Sequence, residues 1–385
     1  MGAFLVGISI FACKKSFLER LPQAALREEQ LANEKGINAT LIAAYAALDG
    51  WTENGWNNAA GNPWPAAGSN WIFGSVASDD AYPGSQPNDQ QGVERVNRYE
   101  WLTDDPYFRA KYQTIYSGIA RTNVTLRLLA SAKDISDAAK DQLTGEAKFL
   151  RAHYYFDGYK NFKNIPFIDE TVTTEFRLPN DEDIFPKIEA DLQDAISKLP
   201  EKADNSSGRA NKGAAQATLA RAYMFIGKYP EAKALLQAVI TGGKYDLVGN
   251  FHDNFNAATQ NNNEMVFAFK ASVNDGAGES ANGNWGDRLN APHNSTVTGC
   301  CGFHQPSFNL VNAFKTDANG LPLFSTFNNT NYNENMDFVD PRLDWTVGRP
   351  GTPYLDWGPH QIAWVRDPVM AVLLHLRKIF FINPN

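Results

Sequence analysis

The chemistry-bearing residues of this sequence are aromatic plates set among amides and carboxylates. Trp51, Trp56, Trp64 and Trp71 place four of the nine tryptophans within 21 residues, at gaps of 5, 8 and 7 that match neither helix nor strand. Asn54, Asn57, Asn58, Asn62, Asn70 and several glycines lie between them. A sugar ring needs this combination: its C–H face stacks on a flat ring, and its hydroxyls take paired donors and acceptors. Ser78-Asp79-Asp80-Ala81-Tyr82, then Asn88 and Asp89, supply such groups just downstream. A second cluster gathers Trp285, Asp287, Arg288, Asn290, His293 and His304. The expected ligand-binding residues are therefore Trp71, Asp79, Asp80, Tyr82, Asn88, Trp285 and His304. The competing expectation is that tryptophans plug the bases of long loops.

Bond-breaking chemistry has little support. Asp79 and Asp80 are adjacent, and neighbours in an extended segment point apart, whereas the two carboxyls of a glycoside hydrolase flank one bond about 5–10 Å apart. The six histidines lack H-E-x-x-H spacing, and no P-loop, G-x-G-x-x-G or G-x-S-x-G occurs. Neither a catalytic residue nor a metal site nor a cofactor is expected. The chain carries 35 basic and 43 acidic residues, a net charge of −8, so nucleic acid is not an expected partner.

Phe4 to Phe11 is an apolar run of eight residues ahead of Ala12, Cys13, Lys14 and Lys15. A helix of that length covers about 12 Å, too little for a hydrocarbon core of about 30 Å but suited to a secretory signal. A small residue before a cysteine resembles a bacterial lipobox, so residues 1–12 are read as a lipoprotein signal peptide and Cys13 as the lipidated residue. Cys300 and Cys301 sit side by side between Gly299 and Gly302. Export permits a disulfide between them, and a pair of loop thiols is the alternative.

These residues need a scaffold, and the periodicity supplies one. Helices are predicted over 28–49, 107–131, 137–159, 181–199, 211–226 and 230–241, where apolar residues recur near helical period. Residues 50–105 form a Trp-rich insertion without sustained period. After 243 the helical period fades into Asn-, Gly- and Pro-rich sequence with strand-like pieces such as Met265–Phe269. Leu219, Ala220, Tyr223, Gly227, Tyr229, Ala232 and Leu236 occupy tetratricopeptide spacing. Split copies pair Leu150, Tyr154 and Gly158 with Leu192, Ala195 and Ile196, and pair 28–49 with 107–131. The expected fold is mainly α, a tetratricopeptide-like scaffold with a large irregular loop-rich half. Used alone, such a scaffold would serve only as a protein-interaction surface.

Several stretches resemble the SusD/RagB family of outer-membrane nutrient-binding lipoproteins. They are Cys13-Lys-Lys-Ser-Phe-Leu18 with Pro22, Ser78-Asp-Asp-Ala-Tyr82, Gly145-Glu-Ala-Lys-Phe-Leu-Arg-Ala-His-Tyr-Tyr155, Ala220-Arg-Ala-Tyr223 and Gly302-Phe-His-Gln-Pro306. The resemblance covers residues 13 to about 365. It implies a cell-surface lipoprotein, anchored to the outer membrane, that captures oligosaccharides without cleaving them and delivers them to a SusC-like TonB-dependent transporter. Residues 13–249 correspond to the N-terminal and helical region and 250–365 to the loop-rich region. The family continues further with a final helix pair; Arg366 to Asn385 departs from that pattern and is read as an aberrant or truncated tail.

Overall fold

The computed structural model describes residues 28–50, 64–202, 208–272, 275–276, 282–295, 301–355, 357–367 and 375–376. The signal segment, Cys13, Trp51, Trp56, Cys300 and most of the tail lie outside these residues. Seven helices carry the scaffold: α1 (Glu34–Ala46), α2 (Gln91–Asn97), α3 (Pro106–Ser131), α4 (Asp137–Phe162), α5 (Phe185–Lys198), α6 (Lys212–Phe225) and α7 (Tyr229–Thr241).

Local chemistry sets the helix starts. Asn33, Ser136 and Asn211 each accept a hydrogen bond from the backbone N–H three residues on, satisfying a donor that has no partner inside the first turn. Asp105 caps α3 ahead of Pro106, whose missing N–H costs nothing at that position. α3 packs on α1 and α4, α4 on α5, α5 on α6, and α6 on α7. The predicted helix pairs are thus formed, including the two split ones.

The stretch from Gly145 to Tyr155 is the keystone of this stack. Leu150, Ala152, Tyr154 and Tyr155 are buried. Gly118 of α3 lets the Tyr154 ring approach so closely that a Cβ there would meet ring carbons at 2.5 Å. Two charged side chains of the stretch are buried and fully employed. Arg151 donates to both Asp191 oxygens at 2.6 and 2.8 Å, to Asn123 at 3.1 Å, and to Glu170. Glu146 accepts from Tyr45 at 2.8 Å, Gln142 at 3.3 Å and Arg209 at 3.3 Å. Burial pushes the Glu146 carboxyl up, and Arg209, Tyr45 and Gln142 oppose that shift. These two residues tie α4 to α1, α3, α5 and the segment before α6. They are scaffold, not site.

The tetratricopeptide spacing is only partly used. Leu219, Ala220, Tyr223 and Ala232 are buried where α6 meets α7, but Tyr229, Leu236 and Ile240 stay exposed, because α7 packs chiefly on α6 among the described helices. Met265–Phe269 forms no strand. Pairing with no other segment among the described residues, it contributes Val266 and Phe267 singly to the helical core, with Phe267 edge-on to Phe149 at 5.0 Å.

A second apolar cluster lies beside the helical one. It joins Ala67, Trp71, Ile72, Val76, Ala81, Val93, Val96 and Tyr107 to Leu289, Phe303, Val311, Leu343 and Val347. The insertion after α1 and the later loop-rich segment therefore share one core. Only two-residue strand pairs occur among the described residues, and one of them, Ala81–Tyr82 (β1) with Gln305–Pro306 (β2), couples these two segments.

Candidate functional site

The structure brings the two chemistry-bearing clusters together. β1 and β2 pair antiparallel, with Ala81 opposite Pro306 and Tyr82 opposite Gln305. Beside them the Ser307 N–H donates to the Asp80 carbonyl at 2.9 Å and the Ser307 hydroxyl donates to the Asp79 carbonyl. Further along, the Trp71 indole N–H donates to the Gly286 carbonyl at 2.9 Å. Ser69 donates to Asp287, which also accepts from Asn290 at 3.2 Å. The loop at 85–89 is closed by the Asp89 carboxylate, which accepts from the Ser85 N–H at 3.1 Å, the Ser85 hydroxyl at 2.6 Å and the Gln86 N–H at 3.1 Å.

The backbone here is unusual. Asn70, Asp79, Asn88, Gln90, Tyr99 and His304 all have positive φ. Asn, Asp and His tolerate that region better than other side chains, but a Tyr or Gln there is held by its surroundings at an energetic cost. Residues Ile72–Val76 form one π-helical turn, a feature found mostly as single turns and often at functional sites.

The expected site residues separate by exposure. Asp79 and Asn88 are exposed, and Asp80, Tyr82 and Trp285 are half-buried. The Arg288 guanidinium lies 4.8 Å from the Trp285 ring centroid, a cation–π contact. Trp71 and His304 need correction. Trp71 is 0% exposed, and His304 is buried with its ring centroid 5.5 Å from that of Trp71. A ring enclosed by its own protein offers no face to a sugar. Trp71 instead pins the two loop segments to each other, which is the loop-plugging role weighed for these tryptophans. Trp64 is half-buried and packs against the same core. Cys301 is disulfide-bonded, and the chain's other two cysteines lie outside the described residues.

Sequence reasoning missed Tyr99 and Trp101, whose rings are exposed on the segment between α2 and α3. Their signal was the i, i+2 spacing of two aromatics in a non-helical stretch. Tyr99 is joined to the expected loop, because its hydroxyl donates to the Ala77 carbonyl, immediately before Ser78 and Asp79.

No group of three or more metal-ligating side chains occurs among the described residues. No helix among them is long and apolar enough to cross a membrane.

Fold and site together define a class: a helical-repeat scaffold presenting a loop-built surface of aromatic and acidic side chains. The family described as "Starch-binding associating with outer membrane", SusD-like, matches residues 16–224, and this chain belongs to that family. A SusD-like protein of Formosa agariphila is 25% identical over 324 residues, covering 75% of this chain and 57% of the relative. The chain thus spans little more than half the length of that relative. Among solved structures, a SusD-like protein from Bacteroides fragilis shares the fold with a TM-score of 0.70 at 18% identity, covering 91% of this chain and 69% of its own. A laminarin-binding SusD-like protein gives 0.67 at 22% identity, covering 90% of this chain and 72% of its own.

Proposed function

We propose that this protein captures oligosaccharides at the cell surface and passes them, uncleaved, to a SusC-like TonB-dependent transporter of the outer membrane, to which a lipid on Cys13 tethers it. The observation that carries the reading is the loop junction, where the segment of Trp71 and the exposed Asp79 is fastened to Gly286 and to Gln305–Ser307 beside the helical scaffold. Membership in a family described as starch-binding and outer-membrane-associated supports both the ligand class and the location. The laminarin-binding relative makes β-1,3-glucan the first ligand to try. Recognition proceeds by ring stacking and charge-assisted hydrogen bonds to hydroxyls, with no covalent step.

Calorimetric titration with laminarihexaose, maltohexaose and cellohexaose tests the proposal, alongside chromatography for shortened products. Saturable binding without products supports it. Reducing-end release would replace it with hydrolysis, and a folded protein that binds none of the sugars would leave the helical surface as a protein-binding scaffold. Radiolabelled palmitate incorporation that persists in Cys13→Ala would refute the anchor.

A further inference from the structure

The helical scaffold holds a cleft of its own, between the C-terminal end of α4, the start of α5 and the turn joining α6 to α7. No residue lining it belongs to the loop junction. Its volume is about 350 Å³, at the lower end of the range for small-molecule sites. The floor is aromatic. The Tyr159 ring centroid lies 5.8 Å from that of Phe185 and 6.2 Å from that of Phe225. Tyr159 and Phe185 are buried, whereas Phe225 keeps 53% of its surface exposed. Pro186 and Ile226 line the same space.

Two cations and two carboxylates stand around this floor. Lys228 and Glu189 answer each other at 3.5 Å, and Glu189 also accepts from the Tyr223 hydroxyl at 2.6 Å. Lys163 and Asp183 attract one another but do not come within ion-pair distance. The Lys163 ammonium donates to the Tyr159 hydroxyl at 2.7 Å and lies 4.6 Å from the centroid of that ring. It keeps further N–H donors, and the hydroxyl keeps its own proton to give. One Asp183 oxygen accepts from the Phe185 N–H at 3.0 Å, and the other accepts no hydrogen bond among the described residues. Lys163 follows directly on α4 with φ at 62°, a region that favours glycine. A Lys there is held by its surroundings, and such strain gathers at ligand sites.

We propose that this cleft binds a free α-amino acid with a large apolar side chain. The α-carboxylate meets the Lys163 ammonium and the Tyr159 hydroxyl. The α-ammonium meets the open Asp183 oxygen, and the side chain covers Phe185 and Phe225. A simple anion or cation gains little from a rim whose charges sum to zero, whereas a zwitterion bridges two opposite charges that do not reach each other. The site is separate from the glycan reading, and neither needs the other.

The test is calorimetric titration of the purified protein with L-phenylalanine. Three comparison ligands run beside it: N-acetylphenylalanine, which lacks the ammonium, phenylalaninamide, which lacks the carboxylate, and phenylalanylglycine, whose charged ends lie farther apart. The expected result is saturable binding of L-phenylalanine and at least about tenfold weaker binding of each comparison ligand, as for loss of one charge-assisted hydrogen bond. Lys163→Gln should weaken L-phenylalanine by a similar factor and leave phenylalaninamide unchanged. Asp183→Asn should weaken L-phenylalanine and leave N-acetylphenylalanine unchanged. Both variants should melt with the parent protein and keep its laminarihexaose affinity. A folded parent protein that does not bind L-phenylalanine overturns the site, as do blocked ligands that bind equally well. Unchanged L-phenylalanine affinity in both variants, or a parallel loss for every ligand, also overturns it. Tighter binding of phenylalanylglycine overturns the assignment to a single amino acid.

Discussion

Replacing Trp71 separates a keystone from a sugar platform. Trp71→Phe removes the indole N–H that donates to the buried Gly286 carbonyl, a cost of about 1–3 kcal/mol. Trp71→Ala also empties most of a fully buried site, and such truncations cost about 3–5 kcal/mol. Against a total stability of about 5–15 kcal/mol either change is large. The damage falls on the cluster joining Ala67, Ile72 and Val76 to Leu289 and Phe303. Urea unfolding followed by tryptophan fluorescence and by far-ultraviolet circular dichroism should give a lower midpoint for Trp71→Phe and a still lower one for Trp71→Ala. Any loss of laminarihexaose binding should track the unfolded fraction. A Trp71→Phe protein with the parent midpoint and selectively weakened sugar binding would refute the enclosed role, because it would mean that the ring meets ligand.

Three further outcomes follow from the helical core. Arg151→Met strands the buried Asp191 carboxylate, which the guanidinium holds through two hydrogen bonds, and should cost about 3–5 kcal/mol in urea titration; a loss below about 1 kcal/mol would contradict the buried network. Gly118→Ala should destabilise by about 1–3 kcal/mol, because the added Cβ meets the Tyr154 ring at 2.5 Å; helix propensity alone predicts a gain of about 1 kcal/mol, so the sign decides. Burial lowers the His153 imidazole to about 4. The unfolded chain takes up that proton below about 6.5 and the folded chain does not until about 4, so acidification favours unfolding across this window. Stability should fall as pH drops from 7 to 4 and fall less in His153→Gln; parallel pH profiles would refute the assignment.

The helical scaffold was legible because its information is local. Periodic apolar residues, Asn33, Ser136 and Asn211 as caps, and Pro106 and Pro230 in first turns fix where helices run before any packing occurs. Glu146 and Arg151 were legible only as part of a family-like stretch. Nothing in their residue type says that each is buried and paired with residues 40 or more positions away along the chain, Arg151 with Asp191 and Glu146 with Arg209 and Tyr45. The short α2 and the π-turn at Ile72–Val76 escaped notice, since one or two turns hold too few residues to reveal a period.

In the loop-rich half the sequence determined the chemistry on offer: aromatic plates, amides and carboxylates. It did not determine which plates face solvent. In an irregular segment no period relates one side chain's direction to the next, so inside and outside are settled by whatever packs against the loop. Contact between the insertion and the later loop-rich segment enclosed Trp71 and His304 and took them from solvent. Tyr99 and Trp101, anchored from behind by Ala77 and Phe108, were left in the open. Residue type therefore set the chemistry available, and only long-range contact decided which aromatic residues remain exposed.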